Sequence, residues 1–136
     1  MKKILIGGSA LVNLGSSRST NDTDYLVNDL STTKAFLHDQ ENNIDYINAN
    51  GNKFFSAIYE VEKNNDQATP QSLLELKAYS FVQHCQNFNF QKADDAEYDI
   101  KFLVRKFNLT GVSIVKRYLS SGELSEIVKI INSVKK

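Results

Sequence analysis

A short apolar run that stops on two glycines constrains this chain more than any other feature. Ile4-Leu5-Ile6 is short, apolar and rich in β-branching, and Gly7-Gly8 ends it, which reads as a buried strand with a tight exit. Ser9-Ala10-Leu11-Val12-Asn13-Leu14 then has apolar spacing for a short helix, closed by Gly15. A polar, loop-like segment follows, and Asp22-Thr23-Asp24 leads into a second apolar run, Tyr25-Leu26-Val27. In an extended strand residues i and i+2 share a face, so Asp22 and Asp24 project the same way, about 7 Å apart. Two carboxylates gathered so closely repel, and a cation is the usual means of neutralising them.

Further along, Ser31 or Thr32 caps a short helix through Leu37, and Ile44-Asp45-Tyr46-Ile47 alternates like a half-buried strand. The run 54–61 is apolar and fits either helix or strand. The second half predicts helices: one opened by Thr69-Pro70, one over 95–107, a short one over 112–119, and a last one behind the capping box Ser120-Ser121-Gly122-Glu123. The expected fold class is α/β (α+β), a small mixed, mainly antiparallel sheet flanked by helices, with a C-terminal helical cluster. Residues 1–66 form the expected catalytic core and 67–136 a helical region packed on it as a single domain.

The 136 residues suit one domain, and no run of about 18 apolar residues is present, so no membrane span is expected. Met1-Lys2-Lys3 precedes an apolar run too short for a signal peptide, and a single cysteine, Cys85, suits a reducing, cytoplasmic setting. Net charge is zero but uneven: residues 1–100 carry 8 Lys+Arg against 14 Asp+Glu, and 101–136 carry 8 against 2. That basic end either meets nucleic acid or an acidic partner, docks on the acidic part of its own chain, or is a solvated helical face.

Transfer of a nucleotide needs backbone that approaches a triphosphate closely, and carboxylates that hold Mg²⁺ against phosphate oxygens. Gly7, Gly8 and Ser9 meet the first need, and Asp22 and Asp24 begin the second. Asp45, on a neighbouring strand with Ile44 and Tyr46 facing the core, supplies a third ligand; its other reading is an exposed strand aspartate. Other sites fit poorly. Gly7-Gly8…Gly15 is neither a dinucleotide fingerprint nor a P-loop, and His38, His84 and Cys85 lack metal-ligand spacing.

The series Gly7-Gly8-Ser9-Ala10-Leu11…Gly15…Arg18-Ser19-Thr20-Asn21-Asp22-Thr23-Asp24 resembles the DNA polymerase β-like nucleotidyltransferase superfamily. It is most similar to small bacterial nucleotidyltransferases related to abortive-infection and toxin–antitoxin enzymes. The resemblance extends to Leu73-Leu74-Glu75-Leu76-Lys77-Ala78 and to Lys92 and Asp95-Ala96-Glu97-Tyr98-Asp99-Ile100, touching residues 4–104. It implies an NTP substrate with Gly8 and Ser9 at the β- and γ-phosphates, and Gly7 beside them. It implies Asp22, Asp24 and Asp45 as catalytic Mg²⁺ ligands, with Asp45 also a base for the acceptor hydroxyl. Arg18 and Thr20 would brace the loop or touch phosphate, and Lys77 would approach the triphosphate; its other reading is an exposed helix lysine. Lys92, Asp95 and Asp99 read equally as a solvated charged turn before a helix. The acceptor is RNA such as a tRNA end, reached through 101–136, or a protein side chain of a cognate toxin or antitoxin, or a small molecule. The rival class is an inactive module that binds a nucleotide or a partner.

Overall fold

The computed structural model describes residues 1–20 and 22–134; Asn21 of the aspartate motif and Lys135 and Lys136 of the basic end lie outside them. Two compact units divide at Thr69, Met1–Thr69 and Pro70–Lys136. Among the described residues there are four strands in one mixed sheet and five α-helices. None of those helices is long and apolar enough to cross a membrane.

In the first unit β1 (Ile4–Ile6) runs into α1 (Gly7–Asn13), followed by β2 (Thr23–Val27), β3 (Phe36–Asp39), β4 (Ile44–Asn48) and α2 (Lys53–Glu62). The sheet order is β1-β2-β4-β3, with β2 and β4 parallel and both outer pairings antiparallel. The mainly antiparallel sheet expected from the sequence is thus the one observed. Ile4, Ile6 and Leu26 alternate onto one face and are buried there, and α1 and α2 pack against the inner strands. The run 54–61 resolves as helix α2, whose Phe54, Phe55, Ile58 and Glu62 are buried at helical spacing. The outer edge of β1 is covered: Leu5 N donates to Asp66 O (2.8 Å) and Ala68 N to Leu5 O (3.0 Å).

The helix expected over 31–37 does not form, and the chain enters strand β3 at Phe36 instead. The physical reason is Asn48, fully buried at the end of β4. Its Nδ2 donates to the carbonyls of Asp29, Thr32 and Lys34 (3.1–3.3 Å), and its Oδ1 accepts from Asp29 N at 2.8 Å. Asn50 Nδ2 takes the Thr32 carbonyl as well, at 2.7 Å. Carbonyls that a helix would have used are consumed by side chains, a competition that favours an open loop.

The second unit holds α3 (Pro70–Gln86), α4 (Phe90–Phe107) and α5 (Ser121–Val134), with a 3-10 turn at Val115–Tyr118. That turn replaces the third helix expected over 112–119. It is fastened by Glu75, fully buried on α3, whose carboxylate accepts from the backbone N–H of Ser113 (2.9 Å), Ile114 (3.1 Å) and Val115 (2.9 Å). Helix α4 starts five residues before the expected Asp95, so Lys92, Asp95 and Asp99 lie within it rather than in a turn ahead of it. The capping box forms as the sequence predicts: Glu123 N donates to Ser120 Oγ (3.2 Å) and Ser120 N to Glu123 Oε1 (2.7 Å).

Candidate active site

Sheet register builds the site. Ile6 pairs with Asp24, Asp24 with Asp45, and Asp45 with His38, so four residues form one row across all four strands. Register partners on adjacent strands share a face, which sets the Asp24 and Asp45 side chains next to each other on the face of Ile4, Ile6 and Leu26; Ile44 and Tyr46 therefore lie on the opposite face, not on the core face expected for them. The row lies where those apolar side chains give way to polar ones. Here β1 ends on the glycines, β2 and β4 begin, and Asp24 and Asp45 are half-buried.

The glycine turn is shaped to this row. Gly7 has φ +70°, the left-handed region that disfavours any Cβ, and a Cβ there would stand 2.2 Å from Asp24 Oδ2. At Gly8 a Cβ would meet Thr20 Oγ1 at 2.6 Å and Arg18 Nη1 at 3.4 Å. Both glycines are therefore required by close approach: the first by the aspartate, the second by the loop that carries the basic side chain. Ser9 Oγ and Thr20 Oγ1 both donate to the Asp22 carbonyl, at 3.1 and 3.2 Å, which ties α1 to the segment before β2. Gly7, Gly8, Ser9, Arg18, Thr20, Asp22, Asp24 and Asp45 thus gather in the first unit.

Two neighbours complete the geometry. Asp45 Oδ1 is 2.5 Å from His38 Nδ1, both side chains being nearly half exposed. Asp22 Oδ1 accepts from Asn43 Nδ2 at 2.9 Å. Asn43 holds φ +53° at the β3–β4 turn, a conformation asparagine tolerates better than most residues. His38 lacks metal-ligand spacing in the sequence, and Asn43 belongs to no motif there. The signal for His38 is the alternation Phe36-Leu37-His38-Asp39, which puts it on the Phe36 face and opposite Asp45 once β3 is recognised.

All-oxygen carboxylate donors are the kind a hard cation such as Mg²⁺ takes, and Asp24 and Asp45 fit side by side. The third carboxylate does not close the set: among the described residues no three His, Cys, Asp or Glu side chains converge to hold a metal ion. Asp22 faces Asn43 instead.

Lys77 lies in the second unit. Its Nζ is 3.1 Å from Asp99 Oδ2, a carboxylate only 1% exposed, so the ammonium balances a buried charge one helix away. Cys85 is half-buried on α3 with its thiol pushed up by burial, the opposite of a reactive thiolate. No protein-family model, no curated protein and no solved structure matches the chain.

Proposed function

We propose that the chain is a Mg²⁺-dependent nucleotidyltransferase that moves a nucleoside monophosphate from an NTP to a hydroxyl acceptor and releases pyrophosphate. The observation that carries this reading is the left-handed Gly7 under the Asp24 carboxylate, beside the Asp24–Asp45 register pair. A backbone without side chains next to paired carboxylates suits a polyphosphate, which needs close N–H approach and cationic neutralisation together. Asp24 and Asp45, with Asp22 once released from Asn43, would hold the ion, which would neutralise phosphate charge as a Lewis acid and lower the pKa of the acceptor hydroxyl.

The chain's own residues supply the rest. Gly7 and Gly8 let the Asp24 carboxylate and the loop of Arg18 and Thr20 close over the start of α1, and Arg18, whose guanidinium lies over Gly8, offsets phosphate charge. Asp45 takes the proton of the acceptor hydroxyl while that oxygen bonds to the α-phosphorus and the bond to the β-phosphate oxygen breaks. The hydrogen bond to His38 turns the Asp45 carboxylate toward one orientation. RNA is the acceptor favoured by the basic 101–136 segment, ahead of a side chain of a toxin or antitoxin partner.

One observation favours a second reading, a nucleotide- or partner-binding module without catalysis: Asp22 is held by Asn43, and no three carboxylates converge among the described residues. The two separate in one assay. Protein incubated with each α-labelled NTP, Mg²⁺ and total RNA, beside a protein extract, should transfer label to RNA, and Asp24→Asn should abolish it. Label in neither fraction, with NTP still bound in equilibrium dialysis, favours the binding module; label retained by Asp24→Asn removes the carboxylate assignment.

A further inference from the structure

On α4, Tyr98, Lys101, Phe102, Arg105 and Lys106 are spaced three and four residues apart and so occupy one helical face. They line a groove of about 440 Å³ in the helical unit. Three of the five are cations and two are aromatic. Tyr98 as a residue is 52% exposed, and Lys106 Nζ lies 5.8 Å from the centroids of both Phe102 and Phe107. An exposed tyrosine among lysines and arginines presents a flat ring beside positive charge. An acidic protein would use the cations and leave the rings idle. A single-stranded nucleic acid uses both, because each nucleotide brings one phosphate and one base whose flat face stacks on a ring.

We infer that this face of α4 is a docking site for single-stranded RNA. Tyr98 is the stacking platform, and Lys101, Arg105 and Lys106 take successive phosphates. The choice of RNA over DNA rests on the nucleotidyl-transfer reading, in which this strand belongs to the acceptor. Lys101 also pairs with Glu97 at 2.9 Å, a partner that a phosphate has to displace.

The test is fluorescence anisotropy of a labelled 12-nucleotide single-stranded RNA against the full chain, without NTP or Mg²⁺, so that transfer plays no part. Three phosphate contacts give a log–log salt slope of about −2. Arg105→Gln should flatten it by about 0.7. Tyr98→Ala should weaken binding about tenfold with an unchanged melting temperature. Asp24→Asn should bind RNA like wild type, so loss of transfer with binding intact falls on the catalytic reading and not on this one. No binding, a Tyr98→Ala variant that binds like wild type, or polyglutamate competing as well as RNA would each overturn the assignment, the last by identifying a surface for acidic protein.

Discussion

In the helical unit, Glu75 is fully buried and its oxygens take the N–H groups of 113–115, while Asp99 is buried against the Lys77 ammonium. In the sheet unit, Asp24 and Asp45 stand half-open in a row, and Asp45 meets an imidazole that is itself nearly half exposed. Both units place carboxylates inside regular structure, yet the first pair is consumed by its own fold and the second faces outward with neighbours that a ligand can displace. Burial without a partner is costly, and the fold answers it with three backbone N–H groups on Glu75 and the Lys77 ammonium beside Asp99, which leaves neither carboxylate open to solvent. Partial exposure at the end of a strand is cheap, and repulsion between neighbouring carboxylates there is relieved by whatever cation arrives. The same side chain is thus an organiser in one unit and a candidate reagent in the other.

The contrast predicts opposite responses to charge removal. Lys77→Met should destabilise the protein by about 3 kcal/mol in urea unfolding, because it strips the counter-charge from buried Asp99. Asp45→Asn should stay within about 0.5 kcal/mol of wild type, as substitutions at exposed polar sites do, while losing transfer to RNA. If Lys77→Met is instead as stable as wild type and only transfer falls, Lys77 serves the triphosphate as the sequence resemblance implies, and the division between the units fails.

Glycines sharpen the comparison at smaller scale. Gly7→Ala forces a Cβ into the left-handed region, at about 1–2 kcal/mol, and displaces the Asp24 carboxylate 2.2 Å away. Unfolding should register a loss of about 2 kcal/mol, and Mg²⁺-dependent transfer should vanish. Gly122, in the first turn of α5, meets nothing within 4 Å, so Gly122→Ala should gain about 0.5 kcal/mol. Equal losses at the two positions would mean that the glycine turn is no more constrained than a surface helix.

What the sequence made legible follows from how local each signal is. The glycine turn, β2 and β4 are carried by short-range patterns, an apolar run cut by Gly7-Gly8 and alternation around Asp45. The last helix is marked by the Ser120–Glu123 box, which closes on itself within four residues. Strand β3 was hidden because its extended form comes from pairing with β4 and from Asn48 reaching back 14 to 19 residues for carbonyls. His38 went unrecognised with it, since its place beside Asp45 exists only once that strand pairs. The 3-10 turn at Val115–Tyr118 likewise depends on Glu75, about 40 residues away. Asp99 looked like a surface acid because its burial is set by the packing of α3 on α4 rather than by its neighbours in sequence.

Acid provides the mildest separation of the two units. Glu123 is held below the usual carboxylate range, first by the Ser120 backbone N–H and further by Gln86 and the Ser120 hydroxyl. In the sheet unit Asp39 is likewise lowered by the Asn42 side chain and backbone at the β3–β4 turn. A carboxyl with a depressed folded value stabilises the fold above its unfolded pKa, and that contribution drains away as pH falls through the folded one. Loss of the α5 cap should therefore begin near the ordinary glutamate value of about 4.3 and continue below it. Glu123→Gln still accepts from Ser120 N but does not titrate. Its stability difference from wild type should favour wild type by under about 1 kcal/mol at pH 7 and shrink as pH falls below the ordinary glutamate value. Asp39→Asn should show the same trend while leaving helicity at 222 nm unchanged, because its hydrogen bonds close a hairpin and not a helix. A Glu123→Gln difference that stays constant across that range would show that the box works through geometry alone, with no contribution from the carboxylate charge.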